Sequence, residues 1–163
     1  MPKVYIASDH TGFLLKGELV TYLTETLLYE VEDLGAHELN PEDDYPDLIT
    51  PCAKKVASTP DTLGIVIGGS GQGEAVAANR IPGVRAALFY GEARAVGAID
   101  AEGAPALDGY DIVRLARVHN DANVLSLAAR FLDTDTAKEA VRIFVSTAFS
   151  GVERHTRRIQ KLG

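Results

Sequence analysis

Four glycines, a hydroxyl and a carboxylate stand close together in the run Gly68-Gly69-Ser70-Gly71-Gln72-Gly73-Glu74. Glycines at this density leave backbone N–H groups without side-chain cover. The alanine-rich helical pattern that follows, Ala75 to Arg80, begins with unpaired N–H groups that carry partial positive charge. Such a loop suits an oxyanion or a phosphate. Glu74 falls in the first helical turn, where a carboxylate is stabilised, and it is placed to act as a base beside an oxyanion-binding loop. The same run also reads as a tight strand-to-helix turn with Glu74 as an ordinary first-turn acid, and by itself it leaves both readings open.

Three better-known glycine loops are excluded by their residues. A phosphate-binding Walker loop requires Gly-Lys-Ser/Thr at its end, whereas this loop ends Gly73-Glu74-Ala75. A dinucleotide fingerprint begun at Gly69 finds Gly71 but meets Glu74 where its third glycine belongs. A nucleophile elbow at Ser70 requires glycine at 72, where Gln72 stands.

Other residues with chemical potential are spread along the chain. Asp9-His10-Thr11-Gly12 follows a first apolar run, with Asp9 readable as a helix cap or as a site residue. Tyr45 precedes Pro46 at a helix start, placed to staple that helix or to face a ligand. His119-Asn120-Asp121 precedes the last strand pattern, and Arg130 follows it. In the terminal segment, Arg154 and Arg158 share one helical face while His155 and Ile159 fall on another. Together with Arg157 and Lys161 these read either as a fork for a phosphate or carboxylate or as a solvated terminal helix.

The elements that must position these groups alternate strand with helix. Strand patterns occur at Val4–Ser8, Glu30–Leu34, Gly64–Gly68, Val84–Phe89 and Asn123–Ala128. A helix after Gly12 places Leu15, Leu19, Tyr22 and Leu23 on one face, and a later one aligns Ala137, Ala140, Val141, Phe144, Val145 and Ala148 behind a cap at Asp133 or Thr134. The expected fold is α/β: a doubly wound, Rossmann-like three-layer sandwich around a five-stranded parallel sheet. In such a sheet ligands bind at the carboxyl ends of the strands, which is where Asp9, His10 and the glycine run fall. Between Tyr90 and Arg117 the pattern is irregular, with short helical stretches expected at Glu92–Ile99 and toward His119.

At 163 residues and 46% hydrophobic content the chain suits one domain with one good core. A formal charge of −7 argues against nucleic acid as a partner. The single cysteine, Cys52, allows no internal disulfide and no thiolate-rich metal site, and burial is its expected role. Met1-Pro2-Lys3 leads directly into a strand pattern, so no signal peptide is expected; no apolar run approaches the roughly 20 residues of a membrane span. A cytoplasmic location is the corresponding expectation.

Taken in order, Ser8-Asp9-His10-Thr11-Gly12, Asp44-Tyr45-Pro46, Gly68 to Glu74 with Ala77-Ala78-Asn79-Arg80, His119-Asn120-Asp121-Ala122-Asn123 and Arg154-His155-Thr156-Arg157-Arg158-Ile159 resemble the type B ribose-5-phosphate isomerases, a family that also holds the galactose-6-phosphate isomerase subunits. The resemblance spans nearly the whole chain. It implies interconversion of aldose and ketose phosphates through an enediol, without metal or organic cofactor. One branch of that family carries a cysteine base at the end of the third strand, where this chain has Gly68; the other uses a glutamate just after the glycine loop, where Glu74 stands.

Carried over by position, the resemblance makes Glu74 the base. The N–H groups of Gly69, Ser70, Gly71, Gln72 and Gly73 with the Ser70 hydroxyl stabilise the enediolate. His119, with Asp9, is the acid for ring opening, and Asn120 holds a hydroxyl. Tyr45 faces the substrate, and His10, Arg130, Arg154 and Arg158 grip the phosphate. It also implies sites shared between the subunits of a homodimer or a dimer of dimers. The chain departs from the family pattern at about 91–117, a segment longer than expected before His119, and this leaves the choice of sugar open.

Overall fold

The structure is a computed structural model that describes residues 1–162. Five strands, β1 (Lys3–Ser8), β2 (Val31–Asp33), β3 (Thr62–Gly68), β4 (Ala86–Phe89) and β5 (Val124–Ala128), form one sheet in the order β2-β1-β3-β5-β4, and every pairing is parallel. Helices α1 (Phe13–Thr21), α2 (Tyr45–Ser58), α3 (Gln72–Asn79), α4 (Asp111–Asn120), α5 (Thr134–Ser146) and α6 (Glu153–Ile159) accompany it, with a 3₁₀ turn at His10–Gly12 and a π-helical turn at Tyr22–Thr26 on either side of α1.

Alternation along the strands separates two cores. Val4, Ile6, Ile65, Ile67, Leu125 and Leu127 pack with α1, α4 and α5, whereas Tyr5, Ala7, Val66 and Val124 pack with α2 and α3. The doubly wound, three-layer arrangement is therefore the one expected. Register aligns the strand ends that matter: Ser8 lies beside Ile67 and Gly68 beside Ala128, so the loops after β1, β3 and β5 emerge together. The winding reverses between β1 and β3, which opens a crevice at those carboxyl ends.

Several local expectations need correction. The α5 stripe is buried as its period requires, and Asp133 caps the helix by accepting from the Thr136 N–H at 2.7 Å. That helix ends at Ser146, however, so Ala148 is exposed. On α1, Leu19 is buried and Leu15 half-buried, while Lys16 is buried as well. Its Nζ reaches both Asp33 carboxylate oxygens at 2.6 Å and the Ala36 carbonyl at 2.8 Å, a pairing that a period of apolar residues does not reveal.

Glu92–Ile99 is not helical. Val96 is fully exposed there, so a helix would have no apolar face to bury, and Gly91 takes φ +152 at its entry. The segment is instead an excursion closed at its base, where the Ala93 N–H donates to the Gly109 carbonyl at 2.9 Å and Tyr110 stacks on Phe89 at 5.7 Å. Cys52 is buried, which pushes its thiol up to about 12. Among the described residues no helix is long and apolar enough to cross a membrane.

Candidate active site

The first group of site residues assembles at the carboxyl ends of β1, β3 and β5. Asp9 is extended, at φ −79 and ψ −175, and its Oδ1 accepts from the N–H groups of Thr11 at 2.8 Å and Gly12 at 3.2 Å and from the Thr11 hydroxyl at 2.5 Å. It is therefore a cap, and a buried one, 7% exposed, with its other oxygen still available. The Asp9 N–H donates to the Ile67 carbonyl at 3.2 Å, which ties this loop to β3. A side chain at Gly12 would meet Ile67 at 2.7 Å, so only glycine lets the two segments approach this closely.

The glycine run is fixed from β5. The N–H groups of Ala129 and Arg130 donate to the carbonyls of Gly68 at 2.8 Å and Gly69 at 3.1 Å, and the Ser126 hydroxyl donates to the Gly71 carbonyl at 2.6 Å. Gly71, at φ +69, turns the chain into α3, whose N-terminus therefore faces the crevice. Ser70 Oγ accepts from the Gln72 N–H at 3.3 Å and keeps its own proton to donate.

Glu74 lies in the first turn of α3 and is only 4% exposed. Its carboxylate fills the space that a side chain on Gly68 would enter. Burial pushes its carboxyl above the ordinary glutamate range; a main-chain hydrogen bond at Glu74 itself draws it back, and the neighbouring Asp9 charge raises it further. A carboxyl so placed binds a proton more readily than a solvated helix-end acid.

Around it, the Tyr45 ring packs on Gly73, where a side chain would lie 2.8 Å from the ring, and the Arg130 guanidinium covers Gly69 at 3.3 Å from the corresponding point. His10 Nδ1 is 2.5 Å from Asp43 Oδ1. That bond raises the affinity of His10 for its proton, and burial and the Arg130 charge oppose it. Asp43 was not among the expected site residues; its only mark in the sequence is the acidic pair Asp43-Asp44 ahead of Tyr45-Pro46. Asp9, His10 and Asp43 could together hold a cation by their spacing alone, within 4.8 Å, but the short His10–Asp43 bond already accounts for two of the three.

The second group lies elsewhere. His119 and Asn120 end α4 just before β5 starts, while Arg130 and the glycine run lie past the ends of β5 and β3. In a parallel sheet these are opposite edges, separated by the length of β5, about 13 Å at the usual rise per residue. The Asn120 carbonyl accepts from Arg85 Nε at 3.0 Å, at the entry to β4, which confirms that edge. There His119 packs on His155 of α6 with ring centroids 4.2 Å apart, and Arg154 Nε donates to His155 Nε2 at 3.2 Å. The Arg154 fork is taken by Glu102 at 2.7 and 3.0 Å, and Arg158 is exposed.

One chain therefore brings Asp9, His10, Tyr45, Gly69–Gly73 and Glu74 together with Arg130, and gathers His119, Asn120, Arg154 and Arg158 apart from them. The other motif residues are structural. Asn79 clamps the β4 edge through two hydrogen bonds to Ala86, at 2.8 and 3.0 Å, and Asn123 does the same for Gly83 and Arg85.

Comparison with known proteins finds relatives over nearly the whole chain. The model of a family described as ribose/galactose isomerase matches residues 4–162. The chain is 36% identical over 160 residues to proteins named ribose-5-phosphate isomerase B from Mycolicibacterium paratuberculosis, covering 98% of this chain and 89% of that protein, and from Mycobacterium tuberculosis, covering 98% and 87%. Among solved structures it is similar to ribose 5-phosphate isomerase B from Anaplasma phagocytophilum, with a TM-score of 0.83 at 36% identity over 100% of this chain and 97% of that one. It is equally similar to the Mycoplasma genitalium enzyme with bound ribulose-5-phosphate, with a TM-score of 0.83 at 37% identity over 98% and 93%.

Proposed function

Because this chain belongs to the ribose/galactose isomerase family, we propose that it is an aldose–ketose isomerase that interconverts ribose 5-phosphate and ribulose 5-phosphate through an enediolate, with Glu74 as the base. The observation that carries the proposal is the position of the Glu74 carboxylate. It is buried beneath the glycine loop, in the volume left by Gly68, beside backbone N–H groups suited to a developing oxyanion. A module that only binds sugar phosphates gains nothing from a desolvated acid there.

In this reading Glu74 removes the C1 proton of ribulose 5-phosphate and returns it to C2. Ser70 and the N–H groups from Gly69 to Gly73, Gln72 among them, hold the charge that appears on the intervening oxygens. His10, whose hold on a proton Asp43 strengthens, and Arg130 lie on the same edge, suited to an anion, and Tyr45 walls it. His119 as ring-opening acid, with Asp9 opposite, Asn120 on a hydroxyl, and Arg154 and Arg158 on the phosphate, come from the other edge, so a complete site requires a second copy of the chain. A homodimer, or a dimer of dimers, in which each copy lends its His119 edge to the Glu74 crevice of the other meets that requirement. Neither a metal nor an organic cofactor enters these steps.

A second reading, isomerisation of a different four- to six-carbon sugar phosphate, is favoured by one observation: Glu102, from the segment that departs from the family pattern, occupies the Arg154 fork. Glu74→Gln tests the common chemistry. It should lower kcat by roughly 100- to 10,000-fold while ribulose 5-phosphate still raises the Tm, and a variant that turns over at the wild-type rate removes Glu74 from the mechanism.

A further inference from the structure

The loop between β4 and α4 is built with care around one exposed carboxylate. Its base rests on Asp111, which is 1% exposed and accepts from the Leu107 N–H at 2.8 Å. Arg114 braces the same turn, reaching Asp108 at 2.6 and 2.8 Å and Asp111 at 3.1 Å. At the tip, Asp100 Oδ1 accepts from the N–H groups of Glu102 at 3.0 Å and Ala104 at 2.9 Å, which fixes the turn that presents Glu102 to Arg154.

From Glu102 the contacts run without a break. Its two oxygens hold Arg154 Nη1 and Nη2 at 2.7 and 3.0 Å, a two-point pairing that sets the plane of the guanidinium. Arg154 Nε then donates to His155 Nε2 at 3.2 Å, which leaves the ring proton on Nδ1, 3.1 Å from Ser150 Oγ. The His155 ring, 5% exposed and held at both nitrogens, is the surface on which His119 rests.

Resting on the isomerase reading above, we propose that Glu102 is a positioning residue for His119: it fixes Arg154, Arg154 fixes His155, and His155 fixes the orientation and charge environment of the ring-opening acid. The charged and titratable groups that face His119 come from two elements. His155 and Arg154 of α6 act after burial to lower its affinity for a proton, and Asp100 and Glu102 of the loop oppose them. Without the Glu102 carboxylate the Arg154 charge acts less opposed, so the protonated, acid form of His119 is lost at lower pH. An ordinary exposed ion pair that only tethers the loop would leave this behaviour unchanged.

The test uses the full chain with Glu102→Gln and Glu102→Asp and two readouts across pH. One is solvent deuterium wash-in at C1 of saturating ribulose 5-phosphate, which needs the base and bound substrate but not the acid, so that any change in the Arg154 phosphate contact is read in KM. The other is conversion of ribose 5-phosphate to ribulose 5-phosphate, in which the furanose must first open and which therefore also needs the acid. At saturating substrate Glu102→Gln should keep wash-in at the wild-type kcat, lose about tenfold in ribose 5-phosphate conversion on the alkaline side and shift that limb to lower pH; Glu102→Asp should recover most of the loss. Coincident wild-type and Glu102→Gln profiles overturn the proposal, as does a uniform fall of both readouts at every pH, which marks a structural loss. Absence of wash-in by the wild-type chain refutes the isomerase reading itself, and the role of Glu102 falls with it.

Discussion

Glu74 is held between influences of opposite sign. Burial and the Asp9 charge favour its neutral form, and a main-chain hydrogen bond at Glu74 favours the carboxylate, with burial the largest. A base works when deprotonated, so turnover falls as pH drops through its pKa, and a raised pKa places that fall at higher pH than for an exposed glutamate. Asp9→Asn removes the neighbouring charge that raises it while asparagine keeps the ability to cap, so the acid limb of kcat/KM should move to lower pH; a limb that stays in place would detach it from Glu74. At this scale the sequence is informative about types and weak about partners. Glu74, Asp9 and His10 were legible from their places after apolar runs, but Asp43, whose bond to His10 spans 33 residues, lies in a polar loop with no period to point inward. Lys16 is hidden for the complementary reason: its charge is matched by Asp33 and Ala36, which a helical wheel does not include.

The elements explain why glycine stands at the end of β3. With any Cβ at position 68 the Glu74 carboxylate must leave its place, whereas the strand itself loses nothing in backbone pairing. Gly68→Ala should therefore lower kcat on the order of 100-fold, the cost of misplacing a reacting group by about an ångström, with the far-UV circular dichroism unchanged. A Gly68→Ala enzyme of full activity would mean that the observed Glu74 position is not the working one. The five strands and the long helices were legible because each buries one face or two, and burial imposes a period. Glu92–Ile99 has helix-compatible residues but no surface to cover, and its conformation is set by hydrogen bonds to Gly109 and Ala104 that no local pattern encodes. The end of α5 at Ser146 is likewise set by the chain's need to turn back toward Val118, where the Ser150 N–H donates at 3.3 Å.

For the whole molecule the decisive feature is that Glu74 and His119, the proposed base and acid, stand at opposite edges of one sheet. Asp43 apart, the residues of both groups were named from the sequence, and the resemblance implied sites shared between subunits; which residue falls at which end of the strands was not legible, because it follows from the direction of β5 relative to α4. If two copies complete each other, a mixed dimer of Glu74→Gln and His119→Asn chains contains one intact site and one doubly altered site. Random mixing of these two inactive variants should restore about a quarter of the wild-type activity, and mixtures that stay inactive would place base and acid in the same chain or in no shared site. The central claim, that Glu74 transfers the proton of an enediol isomerisation, is tested most directly by incubating ribulose 5-phosphate in deuterium oxide with the wild-type chain and with Glu74→Gln and following C1 by NMR. Wash-in and aldose formation are expected with the wild type and neither with the variant, and deuterium entering C1 at equal rates with both would contradict Glu74 as the base.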